Sequence, residues 1–171
     1  ELAHKTGRMI MVCHVLRYAP AFTKIKELLD SGVIGKLLTV EWIEQVAYWH
    51  QAHSFVRGNW RSSKETSPMI MAKCCHDLDL IQDFIGGRCK SVASMGNLSY
   101  FKPEFKPEGA ADRCVNCKYV DSCVYSAKRI YVEAWRDMGQ PGNAGPFNLI
   151  TDACPLTEEA LMDAIKTSPY G

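Results

Sequence analysis

The stretch MIMVCHVL, residues 9–16, is an almost unbroken apolar run. It is far shorter than the ~20 residues needed to cross a bilayer. A run of this length predicts a strand buried on both faces, as in a parallel sheet. Such a strand needs neighbours to pair with. LLTVEWIEQVAYW, residues 37–49, alternates well enough to predict a long strand, and CKSVASMGNLSY, residues 89–100, predicts another.

Helical signals lie between these segments. Residues 1–7 read as the end of a helix stopped by Gly7. From Pro20, which suits a first helical turn, Phe22, Ile25, Leu28 and Leu29 recur at helical spacing up to Ser31-Gly32. A helix is predicted over Cys75 to Ile85, with Leu78, Ile81, Phe84 and Ile85 inward and Gly86-Gly87 as the stop. Further helices are predicted over Ser122 to Trp135 and from Thr157. Residues 50–68 and 101–121 read as loops. The chain opens on the tail of a helix and stops just after another, which predicts a piece cut from a longer polypeptide.

The 171 residues are 47% hydrophobic and 23% charged, with a formal net charge of +1. That balance predicts a soluble globular domain and gives no reason to expect nucleic acid or a membrane as partner. No signal-peptide pattern is found, so a cytoplasmic, reducing compartment is expected. Under that expectation the eight cysteines point to metal or free thiols more than to disulfides.

Two stretches carry candidate chemistry. In KCCHDLDLIQDFIGG, a histidine and Asp-x-Asp sit at a helix start, where Asp77 and Asp79 also favour the positive helix end. In RCVNCKYVDSC the spacing is C-x2-C-x5-C, with Cys154 about thirty residues on. Cys114, Cys117, Cys123 and Cys154 are candidate zinc ligands. An iron–sulfur cluster, packed reduced thiols and a disulfide are the alternatives, while a redox-active C-x-x-C lacks its βαβ context. Cys74 and Cys75 are expected to be small buried residues.

The order HVLRYAP, a helix, SGVIGKLLTVEW, GNWR, and a histidine with D-x-D before an apolar helix closing on Gly-Gly resembles the glucose–fructose oxidoreductase, inositol dehydrogenase and MocA (Gfo/Idh/MocA) family of NAD(P)-dependent oxidoreductases, up to about Tyr100. The resemblance implies an α+β fold: an open, mostly antiparallel sheet with helices on one face, following a Rossmann domain. It makes residues 1–16 the tail of that dinucleotide-binding domain and 17–171 an incomplete substrate and oligomerisation domain.

By the same resemblance, His76 would act in proton transfer on a sugar or polyol, with Lys73 and Asp79 nearby. Trp60 and Arg61, an aromatic-plus-arginine pair that suits a sugar ring, would bind substrate or else be a packed Trp and a surface Arg. Arg17 and Tyr18 would line the cleft for NAD or NADP or else cap the strand end. Homo-oligomers are implied. No G-x-G-x-x-G and no Glu-Lys-Pro occurs, so the chain alone is expected to bind nicotinamide poorly. Many family members have Asp four residues before the histidine. Here that position is Ala72, and Lys73 stands beside it as a substitute donor or, with a depressed pKa, a base. The contrasting expectation is a non-catalytic binding and oligomerisation module with a zinc-type Cys-rich loop.

Overall fold

A computed structural model describes residues 1–142 and 144–171. In chain order the α-helices are α1 (Leu2–Thr6), α2 (Pro20–Asp30), α3 (Tyr48–Gln51), α4 (Met69–Ala72), α5 (Cys75–Ile85), α6 (Ala134–Asp137) and α7 (Glu158–Thr167). A 3-10 turn covers Val15–Tyr18. α3 runs into a π-helical turn, Ala52–Arg57, and a second π turn, Lys128–Glu133, runs into α6.

No strand is present among the described residues, so the predicted open antiparallel sheet with helices on one face is overturned. Residues 9–14, 37–47 and 89–100 carry the apolar patterns of strands but no ladder. Met9 is 99% exposed and Met95 is 100% exposed. A strand forms only where a neighbour takes up its N–H and C=O groups. Local pattern cannot supply that neighbour. Tyr48 and Trp49, read as the end of a strand, and residues 50–57, read as loop, are helical, and Gly58 terminates that segment.

The chain divides into two compact units, Glu1–Glu44 with Ile70–Ser94, and Gln45–Met69 with Met95–Gly171. In the first unit three rings form the centre. Phe22 stacks on Trp42 with centroids 5.9 Å apart, and Phe84 lies 6.4 Å from Phe22 and 6.1 Å from Trp42. The buried face of α5 is Asp77, Leu80 and Phe84, spaced i, i+3 and i+7. Leu78 and Ile85, predicted to point inward, are exposed. Gly86 ends α5 in the left-handed conformation that glycine tolerates best.

The second unit holds the larger core. Ile130, Tyr131, Val132 and Trp135 pack with Phe147, Ile150, Leu156, Leu161, Ala164 and Ile165. Thr157 caps α7, its hydroxyl accepting from the Ala160 N–H at 3.2 Å. Buried within this unit, Tyr131 Oη and His53 Nδ1 are 2.9 Å apart, and the His53 ring stacks on Tyr170. Burial raises the Tyr131 pKa and lowers that of His53.

Candidate functional site

α5 begins where the chain turns out of α4, and this turn carries Lys73, Cys74 and Cys75 up to His76. Lys73 Nζ lies 2.8 Å from Glu44 Oε1 and 3.5 Å from His76 Nε2. The hydrogen bond to Glu44 raises the Lys73 pKa. Lys73 is thus placed as an ammonium donor between Glu44 and His76.

His76 Nδ1 faces Cys75 Sγ at 3.9 Å. A neutral imidazole that accepts from Lys73 at Nε2 carries its proton on Nδ1. His76 also lines a cavity of about 210 Å³ with Val12, Cys13, His14, Val15, Leu16 and Cys75. The cavity wall is mainly apolar, so a polar group placed there meets few competing partners.

Asp79 has a different partner from the one predicted. Its carboxylate takes a bidentate bond from Arg17, with Nε 2.5 Å from Oδ2 and Nη2 2.6 Å from Oδ1. Arg17 Nη1 reaches Asp83 Oδ1 at 2.8 Å, and His14 Nδ1 lies 3.3 Å from Asp79 Oδ2. The Arg17 hydrogen bond holds the Asp79 carboxyl below the ordinary range.

The acid beside His76 is Asp77, whose Oδ2 stands 3.8 Å from His76 Nε2, longer than a hydrogen bond. Trp42 Nε1 donates to Asp77 Oδ1 at 2.9 Å, and Asp77 Oδ2 is buried without a hydrogen-bond partner. Sequence reasoning gave Asp77 only a helix-end role and missed Trp42 and Glu44. Trp42 and Glu44 are two residues apart, a spacing that would have suggested a shared face.

Arg17 and Tyr18 were the predicted cofactor residues. Nε, Nη1 and Nη2 of Arg17 face two carboxylates, which leaves a poor partner for a cofactor phosphate. Tyr18 is 72% exposed at the end of its 3-10 turn.

Trp60 and Arg61 lie in the second unit, just after Gly58. A Cβ on Gly58 would stand 2.4 Å from the His53 carbonyl oxygen, so only glycine lets the chain pass there. Arg61 Nη1 donates to the Gly58 carbonyl at 3.2 Å, and Trp60 is exposed.

The cysteines do not form the predicted zinc site. Among the described residues, no group of three or more His, Cys, Asp or Glu side chains is placed to hold a metal ion. Cys114, Cys117 and Cys123 line one cavity of about 350 Å³, whereas Cys154 is exposed and lies outside it. Backbone N–H groups of Tyr119 and Ala111 lower the Cys117 thiol pKa. Cys75 is exposed and Cys74 half-buried, against the expectation that both are buried. No helix among the described residues is long and apolar enough to cross a membrane.

The GFO/IDH/MocA C-terminal domain matches residues 22–119. YteT of Bacillus subtilis, a protein carrying an oxidoreductase name, is 28% identical over 132 residues, covering 75% of this chain and 31% of YteT. Oxidoreductase P35 of Formosa agariphila is 29% identical over 101 residues, covering 53% of this chain and 31% of that protein. The chain thus spans about a third of the length of the curated relatives it matches. No solved structure matches it.

Proposed function

Because the chain belongs to the GFO/IDH/MocA family, we propose that it supplies the substrate side of an oxidoreductase that oxidises a sugar or polyol hydroxyl with NAD or NADP. Residues 1–16 would close the dinucleotide-binding part, and 17–171 would belong to the substrate and oligomerisation part. The oxidoreductase names of the two relatives support this reading.

The observation that carries the proposal is the Glu44–Lys73–His76 series. At 3.5 Å, Lys73 Nζ and His76 Nε2 are at the outer limit of a hydrogen bond. A substrate oxygen brought to both groups would improve both interactions. The hydroxyl donates its proton to His76 Nε2, while the Lys73 ammonium stabilises the negative charge developing on the oxygen. Glu44 keeps that ammonium in place. A nicotinamide, when bound, would supply the acceptor for the carbon-bound hydride.

The test uses the full-length protein containing this chain, supplied with NAD or NADP and a panel of sugars and polyols, following nicotinamide reduction. Reduction dependent on one of these substrates is expected. No reduction with any sugar or polyol and either cofactor would overturn the proposal.

A further inference from the structure

In the second unit a cavity of about 550 Å³ is lined by Arg57, Arg61 and Lys106. That volume lies within the ~300–1,000 Å³ of small-molecule sites. One carboxylate, Asp112, also lines it and bonds Lys106 at 2.8 Å. Among the lining side chains, three cations against one anion leave a positive excess. Cys114 and Cys117 complete the wall beside them.

Arg57 is the centre of the arrangement. Its Nη2 donates to the Tyr125 carbonyl and reaches Cys114 Sγ at 3.5 Å. Its Nη1 is buried and has no hydrogen-bond partner. A buried guanidinium nitrogen without an acceptor is unfavourable, and such groups are uncommon unless a ligand or water completes them. The fork of Arg57 is held by the contacts of its Nη2 with the Tyr125 carbonyl and Cys114 Sγ. Arg61 follows from the same turn, and Lys106 comes from the Cys-rich loop.

We propose that this cavity binds the oxyanion of a small molecule, a carboxylate or a phosphate ester, with Arg57, Arg61 and Lys106 as its donors. Two acceptor oxygens suit an arginine fork, and the positive excess selects an anion over a neutral sugar. The site lies wholly within the second unit and does not involve the Glu44–Lys73–His76 series, so it goes beyond the reading above. Its own test needs neither cofactor nor turnover.

The chain is titrated by calorimetry and amide NMR with inorganic phosphate and with glucuronate, and with glucose as the neutral control. Binding of at least one anion, and not of glucose, is expected. Phosphate alone would identify a phosphate ester, glucuronate alone a carboxylate, and both the shared oxyanion chemistry. Arg61→Gln and Lys106→Gln should each weaken binding about tenfold. Asp112→Asn should strengthen it, by removing the competing carboxylate, which a merely structural role would not do. Absence of binding by either anion, or affinities unchanged in all three variants, would overturn the proposal. Anion binding by the chain without turnover in the full-length protein would remove only the oxidoreductase reading. Turnover of neutral sugars without anion binding would remove only this one.

Discussion

The two carboxylate oxygens of Asp79 lie 2.5 and 2.6 Å from Nε and Nη2 of Arg17. Asp79 therefore ties α5 to the turn at Val15–Tyr18 and leaves His76 to Lys73. Arg17 lowers the Asp79 pKa, so this pair stabilises the fold fully above the ordinary carboxylate value of about 4. The contribution disappears as pH falls through the lower folded-state value. Asp79→Asn should lower stability at neutral pH and lose this part of the acid dependence. Denaturant unfolding at a series of pH values checks it, and a variant whose pH profile matches wild type would contradict the pairing.

The buried His53–Tyr131 pair makes the second unit sensitive to milder acid. Burial lowers the His53 pKa, so the unfolded chain takes up the proton first. Stability should fall as pH drops below the unfolded value of about 6.5, down to the lower folded value. His53→Asn should flatten that slope. Tyr131→Phe should cost about 1 kcal/mol by removing the hydrogen bond. Leu161→Ala, a cavity in the same core, should cost about 2–5 kcal/mol. Urea titrations at two pH values separate these effects.

Donor geometry in the Cys-rich loop sets a third expectation. With no three ligand-type side chains assembled among the described residues, a strong chelator should leave the melting temperature of the chain unchanged. All eight cysteines are free thiols and should titrate in the unfolded chain. One equivalent of zinc, with Cys114, Cys117 and Cys123 protected from alkylation, would contradict this geometry.

The exposed apolar residues Met9, Ile10, Met11 and Val12 set a fourth. Contiguous exposed apolar surface promotes association. Sedimentation velocity should find concentration-dependent self-association that Met9→Lys with Met11→Lys reduces. A chain that stays monomeric at high concentration would count against it.

Helix positions were legible where their signals are local. Pro20, Gly86 and Thr157 each mark an end by their own backbone or side-chain chemistry, and α2, α5 and α7 fall where they indicate. The strands were not legible, because residues 9–16, 37–49 and 89–100 show only an apolar pattern, and pairing is decided elsewhere. His76 and Lys73, three residues apart at a helix start, were found together for the same local reason. Asp79 was misassigned because its partner is 62 residues away in sequence. Arg57 was passed over because its segment read as a loop.

The most direct test of the account is the turnover of His76→Asn in the full-length protein, with circular dichroism to verify the fold. Loss of a proton acceptor predicts a fall in kcat of about 10²–10⁴ with the fold intact. Unchanged turnover would contradict the role of His76 and, with it, the proposed use of the Glu44–Lys73–His76 series.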